Sequence, residues 1–216
     1  MALKTEKILV LPACSIPAEL LVGGVAKLTL NELSPIISLA EFHTRHLMEE
    51  DESYKQIIPY VVVKDEMGRI LTYRRSSKGG EGRLHDKFSI GVGGHLDLEA
   101  EHLGGIETYF LGMVRELKEE IGIDVNPEDF QIAFTIYDPS NEVGRVHFGI
   151  VSTIVVNSEN FTHDGEIDIL VDREFLTEEE ILLEKYESLE NWSKLLIDNL
   201  MIDGSVSVLA PKNSID

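Results

Sequence analysis

The run GVGGHLDLEAEHLGGIETYFLGMVRELKEEIGI, residues 91–123, ends with three glutamates, Glu116, Glu119 and Glu120, inside five positions. At about 100° per residue, Leu111, Val114, Leu117 and Ile121 fall within an arc of roughly 120° and predict a helix with one core-facing stripe. The expected helix covers 109–121 and stops at Gly122, a residue suited to the left-handed turn that ends helices. The three carboxylates share the opposite side. Like charges at these spacings cost a helix a few tenths of a kcal/mol per pair, and the C-terminal end of the helix dipole is the wrong place for anions. Two readings account for the crowding. One is a solvated acidic face. The other is a site for a hard divalent cation, which takes oxygen ligands and offsets the repulsion. Three neighbours favour the second: Gly93-Gly94, where backbone can approach a ligand closely; Glu107, at the start of the helix; and Arg115, able to hold a carboxylate in place.

The rest of the chain narrows the options. Its 216 residues suit one domain, or one domain with a modest extension, and 43% hydrophobic content supports a buried core. With 39 acidic against 19 basic residues and a net charge of -20, the surface repels polyanions, so neither a nucleic-acid polymer nor an anionic membrane is an expected partner. No apolar run approaches the roughly 18 residues that span a bilayer, and the first residues lack the pattern of a signal peptide. One cysteine, Cys14, cannot form an internal disulfide. A cytoplasmic protein with Cys14 as a buried structural thiol is the expectation.

Strands are predicted at 7–12, 56–65, 69–75, 87–94, 130–138, 143–156 and 166–172, from alternating or β-branched runs bounded by turn residues. A helix is expected within 31–49, starting after Ser34 with Pro35 first, and the tail from Thr177 to about Leu200 reads as helical with a break near Ser188. The pattern is α+β: a mixed sheet with helices packed on it.

From Glu107 onward the sequence resembles the signature of the Nudix hydrolases, G-x5-E-x7-R-E-U-x-E-E-x-G-U, where U is a bulky aliphatic residue. Glu107, Arg115, Glu116, Leu117, Glu119, Glu120, Gly122 and Ile123 match every fixed position of that part. The first glycine does not match: the family places it at position 101, which here is Glu101. Gly94 is the substitute, and the loop 95–106 is then expanded by seven residues. Such an expansion costs well under ~1 kcal/mol of loop closure. Gly80, Glu81, Arg83 and Leu84, followed by SIGVGGH, also resemble a Nudix subgroup of predicted phosphoesterases.

The resemblance implies a Nudix-type mixed β-sheet sandwiched between helices. Residues 1–54 would be an N-terminal extension packing on the core, and 55–216 the Nudix domain with a C-terminal helical segment. It implies an Mg²⁺- or Mn²⁺-dependent pyrophosphohydrolase acting on a small nucleotide or nucleoside diphosphate derivative. Glu116, Glu119 and Glu120 become metal ligands, and Glu116 or Glu120 polarises water. The Gly94 carbonyl is a further candidate ligand, and Glu107 orients Arg115. A base outside the signature is expected at Glu166, with Glu142 second. Arg74, Arg75, Lys78, Arg83 and Lys87 gather positive charge before the glycine turn. Arg75 and Arg83 are the leading substrate contacts, with Arg74 and His95 after them; a turn-capping role for His95 is the alternative. Tyr60 and Tyr73 either stack on a base or pack in the core, and Trp192 packs or sits at an interface. A homodimer suits the fold. The rival function is a nucleotide-sensing domain that binds without cleaving; an isomerase on the same scaffold would need a catalytic cysteine near the signature.

Overall fold

The computed structural model describes residues 6–77, 82–98, 105–158 and 168–203. Its strands are β1 (Lys7–Pro12), β2 (Gly24–Lys27), β3 (Glu41–Thr44), β4 (Tyr54–Lys64), β5 (Ile70–Arg75), β6 (Phe88–Ser89), β7 (Gln131–Tyr137), β8 (His147–Val155) and β9 (Leu170–Leu176). Its α-helices are α1 (Leu30–Ile37), α2 (Arg45–Met48), α3 (Gly105–Ile121), α4 (Glu142–Val146), α5 (Glu178–Glu180) and α6 (Asn191–Asp203).

The continuous apolar run IIPYVVV makes β4 the central strand, because a strand covered on both faces needs apolar side chains on both. β4 pairs in parallel with β8 from Gln56↔His147 to Lys64↔Val155, and antiparallel with β1 and β5. The order is β2-β7-β8-β4-β1-β3, with β5 branching from β4 to β6 and β9. Side chains alternate along β4. Val61 and Val63 face a core shared with Tyr109, Met113 and Leu117 of α3, whereas Tyr60 and Val62 face one shared with Leu196, Ile197 and Leu200 of α6. The sheet is therefore held between helices, the Nudix-type α+β arrangement. β1, β2 and β3, all from the first 54 residues, pair within this same sheet.

Four expectations change. Helix α1 begins at Leu30, not after Ser34, because Thr29 and Glu32 form a reciprocal capping box: the Glu32 carboxylate accepts from the Thr29 amide at 2.8 Å. Pro35 lies in its last turn, and the chain then extends into β3. Residues 142–146 are helical, because the Asn141 side chain caps the turn by accepting from the Gly144 amide at 2.9 Å. β9 starts at Leu170 rather than 166. Cys14 lies exposed in a short helical turn instead of buried.

Candidate functional site

Helix α3 is longer than its periodicity suggested. Its buried apolar stripe is Tyr109, Met113, Leu117 and Ile121, spaced by four, and Leu111 is 38% exposed. The Tyr109 hydroxyl anchors the stripe by donating to the Ile150 carbonyl at 3.2 Å. Gly122, with φ of 75°, ends the helix as expected.

That rotation brings Glu116 to the buried edge, only 8% exposed. The glycine turn meets it there. Val92 exchanges backbone hydrogen bonds with Val61 at 2.8 and 2.9 Å, clamping the turn to β4. A Cβ on Gly93 would lie 1.8 Å from the Pro59 carbonyl oxygen, and one on Gly94 would lie 2.6 Å from Glu116 Oε2. Both positions need glycine for close approach. Arg115 contacts Glu116 Oε1 at 2.6 Å and Glu119 at 2.8 Å, and donates to the His95 carbonyl at 3.4 Å. Burial pushes the Glu116 carboxyl up to about 8; Arg115 pulls it down but loses, while Glu120 and Glu119 add to the rise.

The three glutamates thus separate. Glu116 lies against Gly94, and Glu120 lines the pocket that Gly93 and Gly94 also line. Glu119 has a side chain 54% exposed and turned to Arg115. Among the described residues no three His, Cys, Asp or Glu side chains gather as they would around one metal ion. Glu107 is exposed in the first turn of α3, roughly 12 Å along the axis from Arg115.

The pocket encloses about 600 Å³. Arg75 enters its wall with a buried Nε that makes no hydrogen bond, and it donates from its terminal nitrogen to the Tyr73 hydroxyl at 3.2 Å. Tyr73 raises the Arg75 pKa most; burial opposes this, and Glu120 and Glu190 raise it further, so the cation stays charged between two carboxylates. Arg74 instead bridges Asp86 at 2.9 Å and Asp172 at 2.7 Å, two residues with left-handed backbones, and ties β9 to the turn before β6 rather than lining the pocket. His95 also lines the pocket. Its Nε2 lies 2.7 Å from Gln56 Oε1 and 3.3 Å from His147 Nε2, and burial, then Arg45 and His147, keep its pKa well below 6.5. Tyr73 and Tyr60 are core residues, their hydroxyls bound to the Gly91 carbonyl at 2.6 Å and to Glu190 at 2.7 Å. Glu142 is exposed on α4. Glu166, Lys78, the Arg83 side chain and residues 99–104 lie outside the described residues.

Several lining residues escaped the sequence reading. Arg45 comes from α2, Asp138 and His147 flank α4, and Glu190 and Trp192 open α6. The Glu190 carboxylate accepts from the Tyr60, Ser193 and Ser89 hydroxyls at 2.7, 2.9 and 3.3 Å, fixing the start of α6 against the sheet. No local pattern announces these residues. Only the helical break near Ser188 hinted that the chain turns back there.

No family model matches the chain. Protein YmaB of Bacillus subtilis (strain 168) is 37% identical over 155 residues, covering 70% of this chain and 74% of that protein. The crystal structure of Tm1382, provisionally described as a Nudix hydrolase, superposes with a TM-score of 0.74 at 27% identity, over 91% of this chain and 99% of that one. The Nudix domain of Shewanella oneidensis NrtR, solved with ADP ribose, shares the fold at a TM-score of 0.50 and 12% identity, over 70% of this chain and 89% of that one.

Proposed function

Because the chain belongs to the Nudix hydrolase family, we propose that it is a divalent-metal-dependent hydrolase that cleaves the diphosphate linkage of a small nucleotide or nucleoside diphosphate derivative. One observation carries this reading: Glu120 of α3 and the glycine turn line one pocket, with Glu116 packed against Gly94, and the same pocket holds a charged arginine whose Nε is buried. Glu116 Oε2, Glu120 and the backbone of Gly94 supply hard oxygen donors. Two carboxylates are too few for an all-protein cage but fit Mg²⁺ or Mn²⁺, which binds through one or two carboxylates, water and substrate phosphate. When bound, such an ion neutralises phosphate oxygens and acidifies a coordinated water. The chain's own residues do the rest. Arg115 fixes Glu116 through Oε1, leaving Oε2 toward Gly94. Arg75 offers its guanidinium to a phosphate oxygen, and Glu120, which lines the pocket, is placed to take the proton of the attacking water. The product pair is two phosphate-ended fragments.

The test is turnover. Purified protein with Mg²⁺ or Mn²⁺ should cleave members of a panel of nucleoside diphosphate derivatives, ADP-ribose included. Glu116→Gln and Glu120→Gln should each lower kcat by on the order of 10²-fold or more. Unchanged turnover in both variants would overturn the assignment.

A further inference from the structure

Arg75 closes β5 on one side of β4, and the far wall of the pocket, beyond β8, carries Asp138. Glu120 and Glu190 line the same chamber as Arg75. A sheltered cation between two carboxylates would ordinarily pair with one of them, because an ionised acceptor forms the stronger hydrogen bond. The hydrogen bond that Arg75 makes goes instead to a neutral group, the Tyr73 hydroxyl, at 3.2 Å. Tyr73 and Arg75 are two residues apart on β5, so strand alternation sets them on one face. The guanidinium carbon lies 5.6 Å from the centre of the Tyr73 ring.

Chemistry fixes the direction of this contact. A guanidinium has only donors and a carbonyl only acceptors. The phenol proton therefore points to the Gly91 carbonyl, 2.6 Å away, and an oxygen lone pair is left for Arg75. The anchor is firm. A Cβ on Gly91 would lie 2.1 Å from the Tyr60 ring, and the next residue, Val92, exchanges backbone hydrogen bonds with Val61. Tyr73 itself is fully buried. A tyrosine needed only for packing would be satisfied by the carbonyl alone. We infer that Tyr73 is a positioning residue: its hydroxyl holds the Arg75 fork away from Glu120 and Glu190 and couples it to the turn that carries Gly93 and Gly94. One terminal nitrogen is tied down, and the other donors of the guanidinium are left for an anion. Without the hydroxyl the guanidinium turns to a carboxylate, and the pocket loses both an anion donor and a free carboxylate charge. The inference rests on the diphosphate reading of this pocket, since a phosphate oxygen is what the arginine is held for.

A double-variant cycle on the full chain separates positioning from packing. Binding of inorganic pyrophosphate is followed by calorimetry without divalent metal, so no turnover intervenes. Tyr73→Phe should weaken binding about tenfold when Arg75 is present, and by less than about twofold in an Arg75→Ala background. A hydroxyl that serves packing alone would cost the same in both backgrounds. Equal losses would therefore overturn the inference, as would unchanged affinity in Tyr73→Phe. A second measurement needs no ligand. In protein labelled with nitrogen-15 arginine, the Nε–H signal of Arg75 is identified by its absence from Arg75→Lys. Its exchange with solvent should be at least about tenfold faster in Tyr73→Phe. An unchanged rate would overturn the inference even where the double variant fails to fold. The two readings fail separately: faster exchange upholds the positioning where no diphosphate derivative is cleaved, and turnover beside an unchanged exchange rate upholds the hydrolase and dismisses Tyr73.

Discussion

Gly93 and Gly94 are neighbours, yet the same substitution should break different properties. In Gly93→Ala the new Cβ would sit 1.8 Å from the Pro59 oxygen and 2.8 Å from its carbonyl carbon. Carbon–oxygen contacts normally begin near 3.3 Å, so about 1.5 Å must be found by moving backbone. That backbone belongs to β4, which is bonded to β8 and β1 on both sides. Overpacking costs ~1–3 kcal/mol where side chains can yield, and here none can, so about 3 kcal/mol or more is expected. For a chain of this size that lowers the melting temperature by roughly 6–12 °C. In Gly94→Ala the clash is with Glu116 Oε2 at 2.6 Å, and a side-chain oxygen can retreat by about 0.7 Å. The stability cost should stay below about 1 kcal/mol, but the displaced carboxylate should cost turnover on the order of 10–100-fold. Differential scanning fluorimetry and steady-state kinetics with Mg²⁺ on both variants decide the matter. A Gly93→Ala protein melting within about 2 °C of wild type, or a Gly94→Ala protein with full turnover, would refute the reasoning.

Two further outcomes follow from the site. Burial, then opposing Arg75, leaves the Tyr73 phenol pushed up to about 12 from an ordinary 10; a folded value above the unfolded one means stability is complete below pH 10 and lost as pH rises toward 12. Tyr73→Phe should remove about 2–3 kcal/mol of that alkaline loss, read as a flatter urea-midpoint profile above pH 10, and a profile parallel to wild type would contradict the assignment. Arg75→Ala should raise KM about 10–100-fold more than it lowers kcat, and Arg75→Lys should not restore it, since a point charge cannot reproduce the guanidinium geometry. Equal kinetics for the lysine variant and wild type would remove Arg75 from substrate binding.

Much of the fold was readable because its causes are local. β1, β4, β5 and β7 carry runs of strand-forming residues, and α3 declares itself through periodicity and a terminal glycine. The start of α1 is set by the Thr29–Glu32 capping box, and Pro35, which also suits a first helical position, falls inside the helix instead. The stripe on α3 was misplaced by part of a turn because Leu111 is as apolar as the residues that pack, and only the sheet decides which face meets it. For the same reason Glu116 read as solvent-facing, although burial now dominates its chemistry. Arg74 and Arg75 are indistinguishable as letters; strand alternation sends one to bridge Asp86 and Asp172 and the other into the pocket. The far wall was unreadable in principle, because Arg45, Asp138 and Trp192 are brought together only by pairings between distant strands.

The parallel register of β4 and β8 has a consequence for the order of events during folding. The hairpin, the glycine turn and all of α3 lie between Gln56 and His147 in the chain. The loop closed by that pairing is long, and closures of this kind set slow folding rates. The pocket then still lacks Glu190 and Trp192, which arrive with the last described helix. A chain emerging in order from its N-terminus therefore holds the acidic helix in place before it owns a chamber for it to serve. Ligand affinity should switch on late and abruptly, as a property of the whole polypeptide and of no fragment that ends before α6.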